Sequence, residues 1–160
     1  MRLYFLVSCL LCLLSVLVPA QERTAEETVH AFFDAFNQKD TVQLRQLIHA
    51  DMSMMSSYID QKGDRTNDVR SGHYLIGFMG KAIKKKYAFK EVVSNIRVQK
   101  DRLVATVFMD YTMFVGDQLD KVSHCGVNAF TLIKNENDSW VVSFIADSRY
   151  TECQSKSKSK

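Results

Sequence analysis

His124–Cys153, HCGVNAFTLIKNENDSWVVSFIADSRYTEC, is the stretch whose reading decides the fold. Val127–Ile133 and Trp140–Ala146 are rich in β-branched and aromatic residues, and Asn135–Ser139 between them is a cluster of turn formers. The pattern predicts two antiparallel strands. If Lys134 faces Trp140 across the turn, one face holds His124, Gly126, Asn128, Phe130 and Leu132 beside Val142, Phe144, Ala146, Ser148 and Tyr150. The other holds Cys125, Val127, Ala129, Thr131 and Ile133 beside Val141, Ser143, Ile145, Asp147 and Arg149. A one-residue slip would exchange these faces. Both are largely apolar, so the first should meet a core and the second a partner, most simply a second copy of the chain.

Outward from this hairpin, the elements alternate less regularly. Ala25, Val29, Phe32, Phe33 and Phe36 recur at helical spacing, predicting an amphipathic helix over Glu22–Lys39. Asp40 reads as the N-cap of a short second helix, with Gln43 three residues on and Val42, Leu44, Leu47 and Ile48 turned inward. Asp51–Ile59 reads as a strand and the polar run Gln61–Asp68 as a loop. Ser71 can cap a third helix carrying Leu75, Ile76, Phe78, Met79 and Ile83, ending near Lys84-Lys85-Lys86. Tyr87–Gln99 and Leu103–Val115 form two longer strands. Helices gathered first and antiparallel strands after them predict an α+β domain with the helices on one sheet face.

The ends set the expected compartment. Arg2, the apolar run Leu3–Val18 and Val18-Pro19-Ala20 read as a secretory signal peptide over residues 1–20 and not as a stable membrane anchor. Residues 21–153 then make one domain, followed by a disordered Ser/Lys tail over 154–160. The formal charge of +3 becomes about −1 once Arg2, Lys156, Lys158 and Lys160 are set aside, so no basic surface asks for nucleic acid. Asn137-Asp138-Ser139 is a glycosylation sequon, meaningful in a eukaryotic source.

VHAFFDAFNQKDTVQLRQLIHADMSM, spanning Val29–Met54, resembles the helix–Asn–x–x–Asp–helix entry of the nuclear transport factor 2-like superfamily, which includes SnoaL-like domains. Gly126, Phe130-x-Leu132-x-Lys134 and Trp140-x-Val142 resemble that superfamily's last hairpin, and His124-Cys125-Gly126 through Asp147-Ser148-Arg149 and Cys153 are similar to exported bacterial members. The resemblance implies a cone-shaped roll, a curved antiparallel sheet wrapped around the N-terminal helices and enclosing an apolar pocket. It also points toward a homodimer. It does not imply an activity, because the fold hosts isomerases, dehydratases, binding modules and assembly domains. The steroid-isomerase branch pairs a carboxylate base with a tyrosine and a protonated acid. That triad cannot be placed here: Asp40 is explained by capping, and Tyr58, Tyr74 and Tyr111 have no matched acid beside them.

The expected function is binding of a small, partly apolar molecule; the alternatives are a small isomerase, dehydratase or hydrolase and a purely structural assembly domain. His124 is the candidate general acid or base, with Asp147 or Tyr111. Asn128, Arg149, Ser148, Phe33 and Met109 are candidate ligand-binding residues, although Asp147 and Arg149, two apart on one strand face, read first as an ion pair and only second as a polar anchor for an anionic ligand. Four scattered histidines predict no metal site, and nothing calls for a cofactor. An oxidising compartment and an even count predict a Cys125–Cys153 disulfide. The simple register opposes it. Cys125 faces Arg149, so Cys153 lies roughly 13 Å further along an extended strand, beyond the approximately 7 Å Cα separation a bridge spans. The chain must turn back after Tyr150, or a bulge must shift the pairing.

Overall fold

A computed structural model describes residues 22–153; the expected signal peptide and Ser/Lys tail lie outside the described residues. Helix α1 (Ala25–Gln38) is followed by α2 (Thr41–Leu47), strand β1 (Ile48–Ile59), β2 (Arg65–Ser71), helix α3 (Gly72–Lys84) and four strands: β3 (Phe89–Lys100), β4 (Val104–Val115), β5 (Lys121–Lys134) and β6 (Trp140–Tyr150). The fold is α+β, a curved six-stranded sheet in the order β2-β1-β6-β5-β4-β3 with three helices. All neighbouring strands are antiparallel except β1 and β6, which run parallel, so the sheet is mixed and not purely antiparallel as expected.

Capping residues set the helix boundaries. Thr24 starts α1 later than expected, its hydroxyl accepting from Glu27 N–H while the Glu27 carboxylate accepts from Thr24 N–H. Asp40 caps α2 through Val42 and Gln43 N–H, and Ser71 caps α3 through Tyr74 N–H. Leu44 and Leu47 turn inward from α2 as expected, but Val42 stands exposed in its first turn. Leu75, Ile76 and Met79 form the buried stripe of α3, whereas Ile83 is exposed beyond it.

The segment expected to be a polar loop is in part an edge strand. Arg65–Ser71 pairs with Ser53–Ile59 of β1, an edge position where polar side chains cost little because only one flank is covered. Inside, α1 lies across the sheet. Phe32 meets Phe33 and Phe130 edge-on at centroid distances of 5.6 and 5.1 Å, and Val29, Met79, Met109, Leu132 and Val142 close the core beneath.

The last hairpin carries the decisive departure. Lys134, Ile133 and Leu132 face Trp140, Val141 and Val142, as the sequence predicts, but the register then shifts so that Thr131 faces Phe144 and Phe130 faces Ile145. The extra residue, Ser143, is a β-bulge, and everything beyond it on β6 changes sides. Ile145, Asp147 and Arg149 therefore point inward, while Phe144, Ala146 and Ser148 turn outward. The same shift sets Cys125 opposite Tyr150, and a bend at Thr151 returns the chain, so that Cys125 and Cys153 form a disulfide with Cα atoms 5.7 Å apart. Both routes that the simple register required are present.

Candidate functional site

The inward positions of the six strands fall into cross-strand rows. Asn128 of β5 faces Asp147 of β6, which faces Ser56 of β1, which faces Asp68 of β2. In the next row Tyr111 of β4 faces Gly126, Arg149 and Tyr58 in turn, and beyond it Glu91 of β3, Met113 and His124 align. With Phe33 and Phe36 of α1 and Leu75 and Phe78 of α3 opposite, these rows line a cavity of about 330 Å³, within the roughly 300–1,000 Å³ range of small-molecule sites. Its walls also include Met54, Tyr87, Phe89, Phe130 and Ile145, so a largely apolar chamber holds one polar cluster.

Tyr111 reaches that cluster across a glycine. A Cβ on Gly126 would lie 1.7 Å from Ser148 O and 2.9 Å from the Tyr111 ring, and the missing side chain lets the phenol cross β5. Its hydroxyl then lies 3.4 Å from Asp147 Oδ2 and 3.3 Å from Ser148 O, and burial beside Asp147 and Glu91 pushes its pKa up. The expectation that this tyrosine has no acid beside it is corrected: the bulge brings one. Asp147 also accepts a short hydrogen bond from Ser56 Oγ, and burial raises its pKa despite that donor and nearby Arg149.

Arg149 does not pair with Asp147. Among the described residues it forms no ion pair; one terminal nitrogen donates to Ser56 Oγ at 3.4 Å, the guanidinium lies 5.6 Å from the centre of the Tyr58 ring, and its buried Nε has no hydrogen-bond partner. His124 lines the cavity at 5.8 Å from the Tyr111 ring, with Nδ1 3.1 Å from Ser123 Oγ. Burial and the Arg149 charge lower its pKa to about 4, so the ring is neutral at neutral pH.

Glu91 is the residue sequence reading missed. Asn128, buried, donates to its carboxylate at 2.7 Å, and burial raises the Glu91 pKa to about 7. The signal was present in Phe89-x-Glu91-x-Val93, whose alternation puts the acid on the apolar face. Asn37 holds this point of β3 in place: its amide donates to Glu91 O at 2.9 Å and accepts from Glu91 N–H at 2.7 Å. Ser56, Asp68 and Arg70 were also missed, Asp68 because it closes a run that read as a loop. Arg70 bonds Asp68 and stacks over Tyr74 at 4.0 Å, beside the cavity.

Of the remaining candidates, Phe33 and Asn128 line the cavity. Ser148 does not: the bulge turns it outward, where its hydroxyl accepts from Val127 N–H at 3.3 Å. Met109 is fully buried beneath the wall and does not reach the cavity. Among the described residues no group of three or more His, Cys, Asp or Glu is placed to hold a metal ion, and no helix is long and apolar enough to cross a membrane.

No protein-family model and no curated protein sequence matches the chain. Solved structures do. A nuclear transport factor 2-like superfamily protein from Salmonella enterica serovar Typhimurium superposes with a TM-score of 0.58 at 11% identity, covering 84% of this chain and 92% of that one. The beta subunit of a proposed aromatic-ring-hydroxylating dioxygenase from Novosphingobium aromaticivorans gives 0.62 at 9% identity, over 80% and 88% of the two chains. A proposed dehydratase of the nuclear transport factor 2-like family from Streptomyces avermitilis gives 0.53 at 11% identity, over 78% and 93%. The chain has the nuclear transport factor 2-like, cystatin-like cone fold.

Proposed function

We propose that the chain is an exported domain that binds a small, partly apolar molecule. One observation carries the reading: the cavity is walled by aromatic and aliphatic side chains yet gathers Glu91, Tyr111, His124, Asn128, Asp147 and Arg149 on one side. That is the arrangement of a site that buries an apolar body and orients it through a few polar groups. The Cys125–Cys153 bridge supports export, since such bonds persist in oxidising compartments. Native mass spectrometry of protein purified from its own compartment tests the proposal: a co-purifying small molecule is expected, displaced when Phe33→Trp fills the chamber. Protein that carries nothing, and binds no member of a library of small apolar compounds, would refute it.

A second reading is acid–base catalysis, as in an isomerase, dehydratase or hydrolase, favoured because Glu91, Tyr111, His124 and Asp147 face one cavity. His124 was the expected general acid or base, with Asp147 or Tyr111 as partner. A pKa near 4 makes its ring a weak base, and Glu91, near 7, is better matched to proton transfer at neutral pH. Turnover of a bound compound that is lost in Glu91→Gln and kept in His124→Gln would support this reading.

The partner proposed for the outer sheet face is a second copy of the chain. Val127, Ala129, Ile133, Phe144 and Ala146 are only half-covered there, and Phe108 and Val104 are exposed beside them. Two residues expected on this face are corrected. Ile145 turns into the cavity beyond the bulge, and Val141 is already buried within the chain.

A further inference from the structure

We infer that the ligand carries a carboxylate, which Arg149 binds, on an apolar body lying against Phe33, Phe36 and Phe89; this rests on the small-molecule reading above. Arg149 is a permanent cation on the wall of an apolar chamber, and among the described residues it has no ion-pair partner. Removing a guanidinium from water without a counter-charge is costly. Asp147, two residues before Arg149 and close enough to feel its charge, accepts hydrogen bonds from Ser56 on one oxygen and Tyr111 on the other. The buried Nε of Arg149 therefore still lacks an acceptor.

A planar carboxylate matches the guanidinium fork, with two parallel N–H donors for two oxygens. The surrounding groups select against other heads. An ammonium would face Arg149 directly. A phosphate dianion would bring a second negative charge toward Asp147 and Glu91. An alcohol or ester would leave the guanidinium without a direct ion-pair partner. Glu91, with its proton retained up to about pH 7, can donate to the same head without repelling it.

The test uses the full chain with decanoate, methyl decanoate, decanol and decylamine competing against the uncharged fluorophore N-phenyl-1-naphthylamine. At about pH 6 decanoate is ionised while Glu91 is largely protonated. Decanoate should bind about tenfold or more tightly than the ester or the alcohol. In Arg149→Gln its affinity should fall to that of the ester, whose own affinity stays within about threefold of wild type. Equal binding of ester and acid, tightest binding by decylamine, or an acid preference that survives Arg149→Gln overturns the inference while leaving the pocket reading intact. If neither the fluorophore nor any competitor binds, the pocket reading falls with it. The wild-type comparison decides the matter even if Arg149→Gln does not fold.

Discussion

Gly126 is the residue on which the site turns, because the Tyr111 ring and the Ser148 carbonyl occupy the space a side chain would take. Gly126→Ala should therefore cost about 3 kcal/mol or more, since backbone cannot yield as a flexible side chain does. Urea denaturation checks this, and an alanine variant as stable as wild type would show that β5 and β6 can separate freely. Glu91 and His124 carry opposed pH dependences. Burial raises Glu91 from 4.5 to about 7, so the folded state binds its proton more tightly; the stability this contributes is complete below about pH 4.5 and is lost as pH rises to 7. His124 is lowered from 6.5 to about 4, so its contribution is complete above 6.5 and is lost as pH falls to 4. Asp147, raised by burial, adds to the Glu91 direction. In wild type the two main slopes largely cancel between pH 4.5 and 6.5. Glu91→Gln should expose stability that rises with pH over this window, and His124→Gln stability that falls, each by up to about 1.4 kcal/mol per pH unit. Urea midpoints at several pH values measure both, and slopes of the same sign would contradict the assignment.

Among the elements, the edge strand β3 is held by a side chain in place of a neighbouring strand. Asn37, one residue before the end of α1, satisfies both backbone groups of Glu91, as another strand would. Asn37→Ala should destabilise the fold by about 2 kcal/mol and weaken ligand binding through the displaced Glu91, which calorimetry with a bound probe would reveal. A variant of unchanged stability would mean water replaces the amide without loss. The end of β6 depends on the disulfide in a comparable way. Cys125 and Cys153 close a loop with a sequence separation of 28, so replacing both with serine should remove about 3 kcal/mol, chiefly by freeing the unfolded chain. Thermal melts with and without reductant test this. Equal melting temperatures would exclude a stabilising bridge.

For the whole molecule, the proposed dimer should dissociate when Val127 and Phe144 become lysine, leaving a soluble monomer that still binds small molecules through the opposite face of the sheet. Sedimentation at micromolar concentration checks it, and a monomeric wild type would remove the outer face as an interface. Helix α1, its apolar stripe, the Asp40 and Ser71 caps and strands β3 to β6 were legible in the sequence because each depends on local periodicity or a single side chain reaching nearby backbone. So was the turn from Lys134 to Trp140, where the strand register starts as expected. The site was legible only in part. His124, Asn128 and Phe33 could be placed on a cavity from strand and helix parity, and Glu91 could have been. Asp147, Arg149 and Ser148 could not. One additional residue at Ser143 inverts every side chain after it, and whether a strand bulges depends on its pairing with two neighbours, β5 and β1, distant in sequence. The residues were present in the one-dimensional pattern; only the packed sheet decided that an acid and an arginine would face the chamber while a serine faced away.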